Sequence, residues 1–236
     1  MISDDSSVIL EVKGLKKVFK GDLLKKSTTA ISDVNCRFIE GTINLVFGHN
    51  GAGKTTTIKV ILGLLKPTAG KVLYRDKPLT IRDKNDFGYM PEVHRLSPLL
   101  SVVETLNNHI RYYQRGVFGR SVVQVMDEHL KKLGLWGHRK KKVKELSKGL
   151  QRRLAFALAV IHDPQVIILD EPFSGLDIGG KKLMEKLLLE QKEKNKTLIM
   201  SSHDIFSSVR ICDHFHFIKD GKTAYSSLDD CEVDEA

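Results

Sequence analysis

Apolar residues fall into three textures along this chain. Near the start they alternate with polar ones. Val8 to Lys13 and Val34 to Ile39 therefore read as half-buried strands, because a strand's side chains point to opposite faces at every second residue. Elsewhere they form short unbroken runs: Thr42 to Phe47, Val166 to Leu169 and Thr197 to Met200. Such runs are expected in a parallel sheet covered on both faces. Between these lies a third texture, from about Ser101 to His162, with helical spacing at Val102, Leu106 and Ile110. Ser101 with Glu104 makes a capping box for the first helix of this block. A second helix is predicted from about Ser121 to Leu133, stopped by Gly134, and a third from about Ser147 to Asp163-Pro164. The block reads as a helical lobe inserted between two halves of a sheet.

Shorter signals complete the outline. Thr55 to Leu65 and Gly180 to Lys194 read as helices, and Pro67-Thr68-Ala69-Gly70 as a turn. Lys71 to Tyr74 and Phe87 to Met90 read as short strands, the second ending at Pro91. Phe215 to Ile218 and Thr223 to Tyr225 flank Asp220-Gly221, a hairpin signal. The acidic tail from Asp229 is expected to fray.

The chain's 236 residues suit one large domain or a domain with a sub-lobe. No apolar run approaches the roughly 18 residues of a membrane span. Met1 to Ser7 is acidic and polar, unlike a signal peptide, so a cytosolic or peripheral location is expected. Cys36, Cys212 and Cys231 are few, odd in number and far apart, which argues for free thiols rather than a disulfide frame or metal site. The net charge of +9 fits a solvated or interfacial face, acidic lipid or nucleic acid. The main basic run, Arg139 to Lys142 with Lys144, has no interleaved aromatic residue. Nucleic acid is therefore not expected as a partner.

The chemistry centres on Gly48-His49-Asn50-Gly51-Ala52-Gly53-Lys54-Thr55-Thr56. This segment fits the phosphate-loop pattern of Gly, four residues, then Gly-Lys-Ser/Thr, between a predicted strand and a predicted helix. Glycines let the backbone fold its N–H groups around phosphate oxygens, and the following helix points its positive end at the same charge. Lys54 would reach the β- and γ-phosphates, Thr55 would sit on Mg²⁺, and Thr56 would add a contact to the α-phosphate. Asp170 and Glu171 follow the Val166 run. An aspartate there can hold Mg²⁺ through water, and Glu171 can polarise the attacking water. A bare carboxylate pair at a strand end can also be a helix cap and its neighbour.

With Leu146-Ser147-Lys148-Gly149-Leu150 before Asp170, Ser174-Gly175-Leu176-Asp177 after Glu171, and His203 past the Met200 strand, the chain resembles the ABC ATPases. The motifs stand in family order over nearly the whole chain. The resemblance implies an α/β fold with a P-loop NTPase core: a mixed, mainly parallel sheet with flanking helices, an N-terminal antiparallel β part and an inserted helical subdomain. It implies one nucleotide-binding domain over 1–236, with the core at 1–90 and 164–228, the subdomain at about 91–163 and a tail at 229–236.

The resemblance also implies roles. Phe19 matches the adenine-stacking aromatic, or is core. His203 matches the switch histidine, or is a satisfied core histidine. Ser147 and the Gly149 N–H would grip a γ-phosphate, and Ser147 is also a good helix cap. Glu92, at the hinge into the lobe, stands where the family usually has glutamine and would touch Mg²⁺. Lys148 replaces glycine and Leu150 replaces glutamine in the signature. These departures resemble export systems.

The expected cofactors are ATP and Mg²⁺. The expected partners are a second nucleotide-binding domain, in an ATP-dependent homodimer, and an integral membrane permease. The location expected is cytoplasmic and peripheral, on the inner face of the cell membrane. Leu96 to Leu100 and Tyr112-Tyr113 are either the groove for the permease or core of the lobe. The leading expectation is the ATP-hydrolysing subunit of an ABC transporter, with export favoured. The alternative is a soluble ABC ATPase acting in macromolecular assembly or nucleic-acid maintenance.

Overall fold

A computed structural model describes residues 7–20, 27–113 and 121–228. The acidic tail and Cys231 lie outside the described residues. In chain order the elements are β1 (Val8–Phe19), β2 (Thr28–Ile39), β3 (Ile43–Phe47), α1 (Lys54–Ile61), β4 (Ala69–Tyr74), β5 (Lys77–Pro78) and β6 (Phe87–Met90). There follow α2 (Val102–Tyr113), α3 (Val122–Lys132), α4 (Lys148–Val160), β7 (Val166–Asp170), α5 (Ile178–Glu193), β8 (Thr197–Ser202), β9 (His214–Lys219) and β10 (Lys222–Ser226).

The strands form one sheet in the order β5-β4-β1-β2-β10-β9-β3-β8-β7-β6. Its first part is antiparallel, β5 to β4 to β1 to β2. Its far part, β9-β3-β8-β7-β6, is parallel throughout. The β9–β10 hairpin joins the two, with β10 touching β2 at Lys222 and Asp33. The mixed, mainly parallel α/β fold expected from the sequence is the fold observed.

Every residue of β7 is buried, and alternate residues serve opposite faces. Ile167 and Leu169 pack with Leu106, Leu154 and Phe156 of the helical lobe. Val166 and Ile168 pack with Ile58 and Ile61 of α1 and with Phe38 of β2. The apolar run is therefore the mark of a strand covered twice. Each fully buried Ile or Leu contributes roughly 1.5–3 kcal/mol relative to exposure.

Three expectations need correction. The first strand runs on past Lys13 to Phe19, because shifts in its register with β2 around Gly14 break the apolar alternation without ending the pairing. Ala69 and Gly70 are not a turn but the start of β4, with Ala69 opposite Lys16. Gly70 passes so close to Gly14 that a side chain there would meet the Gly14 carbonyl at 2.3 Å. The first helix stops at Ile61 rather than Leu65.

In the lobe, the Ser101–Glu104 capping box forms both ways: the Glu104 carboxylate accepts from the Ser101 N–H at 2.7 Å, and Ser101 Oγ accepts from the Glu104 N–H at 3.2 Å. Leu96 packs on the lobe core. Leu99 and Tyr112 are exposed. Tyr113 instead stacks on His162, with ring centroids 3.9 Å apart.

Candidate functional site

The strands β3, β8 and β7 are parallel neighbours, so their carboxyl ends open at one edge of the sheet. That edge is where ligands bind in open α/β sheets. Phe47 pairs with Ser202, and Asp170 pairs with Ser201. The loop 48–53, the pair Asp170-Glu171 and His203 thus follow three adjacent strands and meet.

The loop after β3 depends on two glycines. A side chain at Gly48 would meet the Ile218 carbonyl at 2.2 Å, and Gly53 adopts φ 110 with Ala30 O 2.8 Å from where a Cβ would stand. Gly53 is also the N-cap of α1, and no side chain caps that helix. Its first N–H groups therefore point at the loop's hollow, where an anion can satisfy them. Lys54 is buried, and its ammonium donates to the carbonyls of Gly48 (2.7 Å) and His49 (3.2 Å). It also lies 3.7 Å from Glu171 Oε1.

The carboxylates are fixed from β8. Ser201 Oγ donates to Asp170 Oδ1 at 2.5 Å and accepts from the Glu171 N–H at 3.0 Å. Thr55 Oγ1 donates to the same Asp170 oxygen at 3.2 Å. Glu171 holds φ 53, a left-handed conformation that costs a residue with a side chain roughly 1–3 kcal/mol. The reward is orientation. Its carboxylate lies between Lys54 on one side and His203 Nδ1, 2.9 Å away, on the other. The His203 side chain is 48% exposed, so it is not the satisfied core histidine of the rival reading. Beside it a partly open cavity of about 230 Å³ is lined by Glu171, Ser174, Gly175 and Asp204 among others.

The remaining sequence-predicted residues sit apart. Ser147 and Lys148 are exposed at the start of α4. Ser147 Oγ accepts from the Leu150 N–H at 3.3 Å, so the residue does serve as the helix cap. Gly149 follows it, with open space where a Cβ would stand. Among the described residues no hydrogen bond joins Ser147 or Gly149 to the loop 48–56. Leu150 packs against the lobe core.

Phe19 is 42% exposed and pairs with Thr28, two residues before the Ala30 that touches Gly53. The Lys17 ammonium lies 5.1 Å from the centre of its ring. Glu92 is exposed after β6. The Tyr89 hydroxyl is held above its ordinary value first by burial and then by the carboxylates of Asp170 and Glu92.

Two residues were missed in the sequence. Ser201 links Asp170 to Glu171, and its signal was there: it is the first polar residue after the apolar run of the strand next to β7. Arg152 on α4 donates from Nε to the Pro172 carbonyl at 3.0 Å, and from its other nitrogens to the carbonyls of Ser174 and Glu171. An arginine after glutamine on a helix reads as a solvated charge, and no local pattern reveals these contacts.

An implied Mg²⁺ can be tested against the donors present. Asp170 is 1% exposed and shares its oxygen with the Thr55 hydroxyl. A hydroxyl and a buried carboxylate beside a phosphate-binding loop suit a hard cation that keeps water and phosphate oxygens as its other ligands. Among the described residues no three His, Cys, Asp or Glu side chains gather as a larger ligand set.

Residues 31–174 match the family described as ABC transporter. An uncharacterized ABC transporter ATP-binding protein of Methanocaldococcus jannaschii is 35% identical over 224 residues, covering 94% of this chain and 78% of that relative. The retinal-specific phospholipid-transporting ATPase of Mus musculus is 36% identical over 217 residues, 89% of this chain but 9% of that protein. A dimeric ATP-binding cassette in a post-hydrolysis state, bound to ADP and Pi, superposes with a TM-score of 0.82 at 27% identity, covering 92% of this chain and 97% of that one.

Proposed function

The chain belongs to the ABC transporter family of ATP-binding proteins, and from that premise we propose that it hydrolyses ATP between two copies of itself to drive export through a separate membrane permease. The observation that carries this reading is the meeting of Lys54, Thr55, Asp170, Glu171 and His203 at the carboxyl ends of three adjacent parallel strands, while Ser147 and Gly149 face outward.

In this reading, residues 48–56 hold the phosphates. Lys54 leaves the loop carbonyls for the β- and γ-phosphates, and Phe19 stacks on adenine. Thr55 and Asp170, the latter through water, would hold Mg²⁺, with Glu92 as a further oxygen ligand; the ion would neutralise charge on the phosphate oxygens. Glu171 polarises the attacking water and takes its proton, and His203 donates a hydrogen bond to the γ-phosphate. Ser147 and the Gly149 N–H close over the nucleotide of the second copy. The dimeric cassette with ADP and Pi supports pairing, at a coarser level than homodimerisation of this chain.

Two features support a transporter subunit on the inner membrane face. Among the described residues no helix is long and apolar enough to cross a membrane, and the reading assigns the span to a permease partner. The exposed Leu99 and Tyr112 offer that partner a surface on the lobe. The Ser-Lys-Gly signature and Glu92 support export.

The test is purification of a tagged chain from detergent-solubilised membranes. A multi-span protein in stoichiometric amount, whose presence raises ATP turnover, is expected. Recovery only in the soluble fraction, with nucleic acid or a macromolecular assembly, would favour the soluble ATPase instead.

A further inference from the structure

The guanidinium of Arg152, on α4, reaches into the catalytic end of its own chain. Arg152 is 9% exposed. Its nitrogens donate to three carbonyls of a single tight segment, those of Glu171, Pro172 and Ser174. Burial holds it below its ordinary value, and the nearby carboxylates of Glu92 and Glu171 offset this.

Glu171 needs such a brace. Its backbone is left-handed, a conformation that persists only where the surroundings over-determine it. Ser201 holds its N–H and Arg152 holds its C=O, so both ends of the peptide frame are pinned. Arginine spreads its donors over three nitrogens of a rigid planar fork and so reaches three separate carbonyls; lysine's three N–H groups share one nitrogen on a flexible stem. The same helix carries Ser147 at its start. The brace thus runs from the outward signature to this chain's own carboxylate.

We propose that Arg152 is a positioning residue of the ATPase reaction: it ties the signature helix to the Glu171–Ser174 backbone and so aims the Glu171 carboxylate. This rests on the reading of Glu171 as the group that polarises water. A shift of α4 when a second copy closes on Ser147 is passed through Arg152 to Glu171.

Arg152→Gln, Arg152→Lys and Glu171→Gln test this, alone and combined, in single-turnover hydrolysis of labelled ATP. Arg152→Gln is expected to lower kcat at least tenfold, with KM and the affinity for a fluorescent ATP analogue changed less than threefold. Arg152→Lys, which keeps the charge and covers the case where glutamine fails to fold, is expected to restore only part of the rate. In the Glu171→Gln background, Arg152→Gln should have less than a twofold further effect, since the two act through one group. Equal losses in both backgrounds, or a kcat within twofold of the parent in each Arg152 variant, would overturn the proposal while leaving the role of Glu171 standing. Undiminished hydrolysis by Glu171→Gln would overturn both.

Discussion

The phosphate-loop side and the signature side of this molecule are built in opposite ways. On the first, polar groups converge and satisfy one another inside the chain. Lys54 is buried and engages two carbonyls and Glu171, while Ser201 bridges Asp170 and Glu171. On the second, Ser147 is exposed, uses its oxygen only to cap its own helix, and stands beside exposed Lys148. A buried polar cluster needs its partners in place before any ligand arrives. An exposed helix start does not. In the proposed reading, one side is a pocket that binds alone, and the other acts only when another surface is brought to it.

The sharpest way to break this contrast is Glu171→Gln. Loss of a general base typically slows a reaction about 10²- to 10⁴-fold, and the amide keeps the shape of the carboxylate. Hydrolysis should fall by that order while ATP binding survives, and light scattering with saturating Mg-ATP should report twice the mass of one chain. A strict monomer under those conditions would end the two-copy reading of the signature side.

Lys54→Ala attacks the other half. It removes a charge-assisted contact to phosphate, a class of bond worth about 1.5–3 kcal/mol. ATP affinity measured by calorimetry should weaken at least tenfold in a single chain. Unchanged affinity would sink the assignment of the loop.

Ser147→Ala is the counterpart, and its effects should separate. Affinity of a single chain for ATP is expected to stay within twofold, whereas ATP-dependent pairing and turnover drop several-fold. Loss of the cap should cost about 1 kcal/mol, or roughly 2–4 °C in the thermal midpoint of a chain this size. If single-chain affinity falls as far as pairing does, Ser147 belongs to the pocket of its own chain and the contrast fails.

The same contrast explains what was legible in the sequence. The loop, Asp170 and Glu171 are each adjacent to an unbroken apolar run, and such a run fixes a strand end to within a residue. Thus β6, β7 and the β9–β10 hairpin fall where the patterns place them. What escaped depends on approach between distant segments. Gly70 reads as a turn glycine, yet it is needed because its backbone crosses Gly14. Arg152 reads as a surface charge, yet it is buried because the chain returns under α4 after β7. Tyr112 and Tyr113 have the same composition signal, and only the rotation of α2 decides that one is exposed while the other stacks on His162.

Acid offers the mildest way to separate the two sides. Four histidines of the segment carrying the signature, His94, His109, His129 and His162, are held below their ordinary value by burial. Beyond β7 the corresponding groups are His214 and His216. His109 is pushed down to about 4, chiefly by burial and secondly by His162. It lies 5.6 Å from the His162 ring, just past the end of α4, and its Nε2 is buried without a hydrogen-bond partner. The unfolded chain binds a proton there near pH 6.5 and the folded chain only near 4, so stability is full above 6.5 and declines as pH falls through that window. Amide protection factors, taken relative to the intrinsic exchange rate at each pH, should therefore fall in α2 and α4 before they do in β7 and β8 between pH 6.5 and 4. His109→Gln, which cannot take up the proton, should lessen the fall in thermal midpoint over the same range. An equal fall in protection on both sides would show that the signature side is no more proton-sensitive than the sheet. The difference between them would then lie in polar contacts alone.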